Sequence, residues 1–437
     1  MGGNALALRQ GDLHPSEHFY DLCDKHGIVV IDGITVPYTN LSEHPEFNMS
    51  LSERISDLYC RVGHHPSSVF CRVSLGIEEG GIVPSGENSV SEFLTTACRI
   101  AGAVLSGYDS SASVYPAEVL EKNEDIISLP SYKTALEFTS EEDRNLLSPV
   151  VEAHTSEPER IGDMLSALIK QYRLPHGFSD MIYTASVLSA ESFAERILTQ
   201  RAERDVRIKS SYPALNDSWP ALSASSVDYF GRLKALHYAC RRVFAPVLPI
   251  LKAEGCSVVG VISNESLKPF TGKLFCALYD ASDRCHKEIT LELSCPAGKT
   301  AHIEPMAFDR YMTETPAEYY LFYELSDENH TICRKTLRFV SPKAFRFRNP
   351  EIRSRISGTG RNYEITLASE SYASGVELDF TGADISFSDN YFDILPSLPV
   401  KIFFNTEDYT TAKKLEEMLT VRSVYDIGKD SDKQDNV

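Results

Sequence analysis

The rhythm of apolar residues changes once along the chain, near Pro249. Before that point apolar residues recur at helical spacing, in segments separated by short, wholly apolar runs. HPSEHFYDLCDKHG predicts a helix that starts at Pro15 and Ser16 and stops at Gly27. IVVID follows as a short strand of the kind that is covered on both faces. SLSERISDLYCRVG and SVFCRVSLG repeat the helix and the strand, and SEFLTTACRIAGA predicts a third helix leading into AVLSGYD. Such alternation predicts a parallel sheet or a barrel. From Glu141 to Arg204 the pattern is mostly helical, in ERIGDMLSALIKQY and FSDMIYTASVLSAESFAERILTQRAER. VRIKSSYPALND then predicts a strand. SSVDYFGRLKALHYACRRVF predicts one amphipathic helix, with Tyr229, Leu233, Leu236, His237 and Cys240 on its inner face. APVLP, residues 245–249, reads as a linker.

After Pro249 apolar and polar residues alternate with period two. CSVVGVISN, GKLFCALYD, KEITLELSC, EYYLFYELS and ICRKTLRFV predict short strands of an antiparallel sandwich. SPKAFRF joins them to a second all-β unit, with strands in NYEITLAS, GVELDFTG, ADISFSDN, VKIFFNT and LTVRSVYD. The expected fold is therefore multidomain, α/β followed by all-β. Its domains are an α/β domain over 1–245, sandwiches over 250–342 and 345–428, and a polar, disordered tail over 429–437. Helices are expected almost entirely before residue 245.

A chain of 437 residues, 42% hydrophobic and 24% charged, has material for several cores. The net charge of −19 argues against nucleic acid and anionic membrane as partners, and is compatible with a neutral polar ligand. The ten cysteines form no CxxC pair, so they read as buried thiols rather than a disulfide framework or a metal site. No apolar run approaches membrane-spanning length. No basic and apolar leader is visible at the start, which leaves the compartment open with the cytoplasm slightly favoured.

NDSWPALSASSVDYFGRLKALHYACRRVFAPVLP resembles the end of the catalytic barrel in β-mannosidases of glycoside hydrolase family 2. That family carries YWQLNDxW, then WSSIDYxGRWKALHY and FAPV. Upstream, NALALRQGDLHPSEHFYDLCDKHGIVVIDG resembles NALRVWGGG followed by FYDLCDELGILV. Downstream, FSDNYFDILPSLPVKI and VRSVYD resemble the family's last immunoglobulin-like domain. The resemblance spans most of Asn4 to Asp426 and is weak at 80–128. It implies a (β/α)8 TIM-type barrel, here partial or degenerate, followed by two immunoglobulin-like sandwiches. It also implies the C-terminal half of such a protein, with an N-terminal half possible on a longer chain or a partner. Three βα units would have to fit between Gly80 and Ser128, and each needs about 30 residues. A regular closed eight-stranded barrel is therefore not expected of this chain alone.

The family reaction is retaining hydrolysis of terminal β-mannosides by two carboxyl groups about 5–5.5 Å apart, one acid/base and one nucleophile. It needs neither metal nor cofactor, and the implied ligand is a β-mannoside or related glycan. For the acid/base, anchoring on SLGxE puts Glu78 at the catalytic position, with Ile77 in place of the family's asparagine. Anchoring on His65-Pro66-Ser67 without a gap puts Gly76 there, which leaves Glu78 and Glu79 as solvated loop carboxylates. For the nucleophile, counting back from SLPSYKTAL puts Asn123 at the position, while Glu124 or Glu121 would serve after a slip in register. Glu92, in SEF, reads as a solvated helix residue.

In the mannose-lining segment RVWGGG, ALRQGD replaces the arginine by Ala7 and the tryptophan by Arg9. In YWQLND, Pro213 and Ala214 replace an aromatic and a glutamine. Asn216, Asp217 and Trp219 survive as substrate-binding candidates. The reading preferred for them is structural: Asp217 and Ser218 capping a turn, and Trp219 covering the rim. His237 reads as a core histidine. The scaffold segments thus match the family while the chemical segments do not. That implies a chain inactive or very weak as a glycosidase. The alternatives are a non-catalytic carbohydrate-binding or interaction protein, or an active hydrolase completed by a missing half.

Overall fold

The computed structural model describes residues 3–8, 15–37, 53, 56–58, 60–76, 113–116, 127–156, 158, 160–203, 214–312, 315–406 and 411–429. Residue contacts divide the chain into two compact units, Gly2–Asn123 and Glu124–Val437. The expected tail beyond Lys429 and the helix in SEFLTTACRIAGA lie outside the described residues.

Among the described residues the first unit holds four parallel strands in sequence order: β1 (Ala5–Ala7), β2 (Val29–Pro37), β3 (Ser68–Gly76) and β4 (Ser113–Pro116). Helix α1 (Glu17–His26) precedes β2 and buries Tyr20 and Cys23. It ends where Gly27 takes a left-handed φ of 66°, a conformation that costs glycine little. A buried aspartate ties the elements together: Tyr20 donates a 2.6 Å hydrogen bond to one Asp32 oxygen and Ser68 a 2.6 Å bond to the other. Burial and the Asp32 carboxylate both push the Tyr20 hydroxyl upward. The His65 ring lies 2.7 Å from Asp24, which also accepts the Ser67 N–H at 2.8 Å.

The second unit opens with helices. They are α2 (Tyr132–Leu136), α3 (Pro149–Ala153), α4 (Arg160–Gln171) and the long α5 (Gly177–Glu203). Their core includes Leu129, Val151, Leu168, Tyr172, Ile182 and Tyr183, and is closed by Val424 and Ile427 from the far end of the chain. A short parallel pair follows, β5 (Ala214–Asn216) with β6 (Ser225–Val227), then α6 (Ala235–Val243). No described helix is long and apolar enough to cross a membrane.

Two sandwiches complete the unit. In the first, β7 (Val247–Glu254), β8 (Ser257–Asn264) and β11 (Lys299–Ala307) form one antiparallel sheet. Strands β9 (Phe270–Asp280), β10 (Cys285–Cys295), β12 (Tyr319–Ser326) and β13 (Thr331–Arg338) form the other, in the order β10-β9-β12-β13. A four-residue helix, α7 (Asp309–Met312), follows β11. Ile262, Leu274, Leu278, Ile303, Met306, Leu321 and Leu325 fill the shared core. The second sandwich pairs β14 (Arg353–Thr359), β15 (Asn362–Ala368) and β18 (Val400–Asn405) against β16 (Ala373–Phe380), β17 (Phe392–Ile394) and β19 (Leu419–Arg422). Its core holds Ile365, Leu367, Val376, Leu378 and the ring cluster of Phe380, Phe387 and Phe404. Beyond residue 255 the helices are short; the longest among the described residues is α8 (Ala412–Met418).

Four local expectations are corrected. SSVDYFGRLKALHYACRRVF is not one helix: Ser225–Val227 is a strand, and the helix begins only at Ala235. Tyr229 is exposed rather than inward, while Leu236 and Cys240 are buried as expected. The cause is Asp228, whose side chain accepts the N–H groups of Phe230 and Arg232 and holds a turn where helix periodicity continues. APVLP is not a linker, because β7 starts at Val247 and Leu248 is buried; Pro249 is tolerated because β7 is an edge strand. ADISFSDN forms no strand beyond a bridge at Phe387, since Asp384 and Asp389 are drawn into ion pairs with Arg232 and Arg242. Strands β11, β14 and β17 were not marked by the alternation, because their apolar positions are too few.

The β9–β10 turn predicts a pH response. Burial opposes the charge of Asp280, but hydrogen bonds from Ser282, His286 and Arg284 outweigh it and bring Asp280 down to about 2. Its stabilising effect, about 2 kcal/mol, is present above its ordinary value of 3.8 and is lost as pH falls towards 2. Asp280→Ala is expected to lower the unfolding free energy at pH 6 and to flatten the acid limb between pH 4 and 2. Urea titrations across that range check it. In the second core, Phe380→Ala is expected to cost about 3–5 kcal/mol in the same assay.

Candidate functional site

The surviving NDSW stretch sits at the carboxyl end of β5. Pairing of Asn216 with Val227 and a 3.1 Å bond from the Asp217 N–H to the Val227 carbonyl fix the register of β5 against β6. The carboxyl ends of parallel strands are where α/β folds place ligand sites. Here the Asp217 side chain turns inward. Its Oδ1 accepts the Ser223 hydroxyl at 2.5 Å, and its Oδ2 lies 2.8 Å from Lys234 Nζ. Both charged side chains are almost wholly buried, 5% and 1% exposed. Lys234 also donates to Ser223 Oγ at 3.2 Å and to the Ser128 carbonyl at 3.3 Å. Burial pushes the Lys234 amine down, and the Asp217 carboxylate opposes that shift. Asp217 is thus an internal tie between β5, the Ser223 turn and the residue before α6, and Lys234 extends the tie to Ser128. It does not cap a turn.

The neighbours of Asp217 face outward. Asn216 is exposed, and its side-chain amide makes one long bond of 3.3 Å to the Asp217 carbonyl. Trp219 leans on His154 at 5.2 Å, and His154 stacks on Phe138 at 4.2 Å with the rings nearly parallel. His154 Nδ1 donates to the Pro220 carbonyl at 2.7 Å, which fixes that ring beneath the tryptophan. After β6 the Asp228 turn presents Tyr229 and Phe230 edge to face at 5.1 Å. Trp219, Tyr229 and Phe230 keep 41%, 51% and 45% of their surface exposed. The guanidinium of Arg232 lies 4.9 Å from the Phe230 ring centre and grips Asp384 with two bonds, at 2.8 and 2.7 Å. It also donates to Thr134 at 2.6 Å, and Thr134 donates to Asp228 at 2.5 Å.

Of the residues chosen from the sequence, Asn216, Asp217 and Trp219 therefore lie in one corner, two turned out and one locked in. Glu78, Glu124, Glu121 and Asn123 lie outside the described residues, as do Arg9 and Pro213. Sequence reasoning did not single out Lys234, Ser223 or His154. The available signal was Lys234 itself, a lysine on the apolar side of LKALHY, which requires a buried carboxylate as partner.

Residues 347–427 match the family model Ig_mannosidase, an Ig-fold domain. Over 97% of its length the chain is similar to the β-mannosidase of goat, Capra hircus, at 22% identity, and it covers 56% of that protein. Among solved structures, its fold matches the β-D-mannosidase of Dictyoglomus thermophilum. There the TM-score is 0.80 at 18% identity, over 96% of this chain and 56% of that one. The exo-chitosanase of Amycolatopsis orientalis matches with a TM-score of 0.69 at 14% identity, over 97% of this chain and 59% of that one. The chain thus spans a little over half the length of the relatives it matches.

The buried pair makes a prediction. Lys234→Met leaves Asp217 buried without a counter-charge and is expected to cost about 3–5 kcal/mol. Asp217→Asn combined with Lys234→Met is expected to cost clearly less than the sum of the two single changes. Urea unfolding of the three variants measures the coupling.

Proposed function

We propose that this chain is a β-mannosidase-like glycosidase-fold protein that recognises a β-mannoside or related glycan and hydrolyses it very weakly or not at all. In this reading residues 1–245 are a partial or degenerate (β/α) barrel, and 250–342 and 345–428 are immunoglobulin-like sandwiches. One observation carries it. In register with SLPSYKTAL, Asn123 stands where retaining hydrolysis needs a carboxylate nucleophile. An amide has no anionic oxygen with which to form the glycosyl-enzyme. The locked state of Asp217 supports the same reading, since both of its oxygens are engaged by Lys234 and Ser223 and neither is free for a sugar hydroxyl. Asn216 and the exposed Trp219 keep the chemistry of sugar recognition, an amide beside an aromatic face.

A second reading rests on the covered length. Because the chain spans 56% of the goat protein, an active hydrolase completed by an N-terminal half is the alternative. Glu78 is then the acid/base, and Glu124, with Glu121 behind it, the nucleophile. No metal or cofactor enters either reading.

The test is release of p-nitrophenol from its β-mannoside by the purified chain. None above the buffer rate is expected, because losing the nucleophile removes several orders of magnitude. Turnover that disappears in both Glu78→Gln and Glu124→Gln would restore the enzyme, with those residues in those roles.

A further inference from the structure

Tyr229 and Phe230 have no role in the reading so far, yet their turn is held from several sides. Its backbone closes on itself: the Asp228 N–H donates to the Arg232 carbonyl at 2.9 Å, and the Gly231 N–H to the Asp228 carbonyl at 3.0 Å. The Asp228 carboxylate takes the N–H groups of Phe230 and Arg232 at 3.0 and 2.9 Å. Gly231 sits at a φ of 83°, where a side chain would be strained. Arg232 then ties the turn to another domain through its two bonds to Asp384. Those bonds hold Asp384 below the ordinary carboxylate range, so the tie is charged at neutral pH.

Two rings fixed in this way present a rigid apolar face with one polar tip. They meet edge to face at 5.1 Å, and both are exposed. Among the described residues the Tyr229 hydroxyl has no hydrogen-bond partner. The cations around the turn are matched, Arg232 by Asp384, Lys133 by Asp379 and Lys234 by Asp217. A charged ligand therefore gains no counter-ion here, whereas a neutral polar one is not penalised. Such a face suits a pyranose, whose C–H groups pack on aromatic rings and whose hydroxyls take donors and acceptors. Position agrees. The 3.1 Å bond from the Asp217 N–H to the Val227 carbonyl has Trp219 two residues beyond one end and Tyr229 two residues beyond the other. Two residues span at most about 7 Å, so one short oligosaccharide can reach both.

We propose that the Tyr229–Phe230 turn is a second sugar subsite, which takes a neighbouring unit of a β-linked manno-oligosaccharide while Asn216 and Trp219 hold the first. The subsite rests on the glycan reading and gives it a substrate class, an oligosaccharide rather than a single mannoside. Asp384 touches no ligand. It is a positioning residue, because a turn already restrained loses less freedom when a sugar settles on it.

The full chain is titrated by calorimetry with methyl β-mannoside and with β-linked mannotriose, and Trp219, the sole tryptophan, reports in parallel by fluorescence. Mannotriose is expected to bind about tenfold more tightly, the worth of one further ring contact. Tyr229→Ala and Phe230→Ala are each expected to lose most of that difference and to keep the methyl β-mannoside affinity, which also shows that they fold. Asp384→Asn is expected to weaken mannotriose about threefold, on the scale of one exposed ion pair. In the wild type the mannotriose affinity is expected to fall as salt screens the tie, although the ligand is neutral, and in Asp384→Asn to be independent of salt. Salt-independent wild-type binding would remove the positioning role. Mannotriose bound no more tightly than methyl β-mannoside would overturn the subsite and leave the glycan reading standing. If neither ligand binds, the subsite falls together with that reading. A dimer that dissociates in Tyr229→Ala, with mannotriose binding unchanged, would assign the rings to a second copy of the chain and also defeat the subsite.

Discussion

The guanidinium of Arg338 holds three layers of the second unit together. From β13 it reaches Glu191 on α5 at 3.0 Å, Tyr372 just before β16 at 3.1 Å and Ser374 on β16 at 2.7 Å. Tyr172 at the end of α4 donates to the other oxygen of Glu191 at 2.5 Å. Burial works against the charge on Arg338, but Tyr372, Glu191 and Tyr172 more than offset it and hold the charge firmly. A buried charge is tolerated only when its donors and acceptors are matched in this way. Removing any one partner leaves a desolvated group at the junction of helix and both sandwiches, so the layers cannot slide independently. The same junction is reinforced where Tyr183 of α5 donates at 2.6 Å to the carbonyl of Gly375, whose left-handed φ of 62° presents that oxygen. Arg422 adds a cation over the Tyr183 ring at 4.5 Å.

This rigidity reaches the candidate site. The turn that displays Tyr229 and Phe230 is held from below by Arg232, and Arg232 is anchored on Asp384 in the second sandwich. Lys133 on α2 binds Asp379 of β16 at 2.6 Å and, next to Asp384, the Ala383 carbonyl at 2.8 Å. The last domain therefore sets the position of aromatic side chains at the strand ends, although it contributes no strand to that sheet. An exposed aromatic pair on so constrained a turn is preorganised, and preorganisation lowers the entropy lost on binding.

Much of the architecture was legible because period follows burial geometry. The switch from helical to alternating spacing near Pro249 marks where helices give way to sheets that bury one face each, and the helix from Glu17 to His26 was readable from its stop at Gly27. The long helix α5 was equally visible, since an unbroken apolar pattern with no proline has few other solutions. Asn216, Asp217 and Trp219 were findable as a group because they are adjacent in the chain.

What the sequence determined by itself was the type and order of the longer elements, because those depend on spacing within one segment. Tertiary structure alone decided the rest. Whether Asp217 faces a ligand or the interior depends on Lys234, Ser223 and Ser128, which local pattern cannot bring to one point. Whether residues 383–390 pair as a strand depends on arginines from α6 and the turn before it, which compete for their aspartates. Charge pairing acts across space at a few ångströms, and sequence separation carries no record of it.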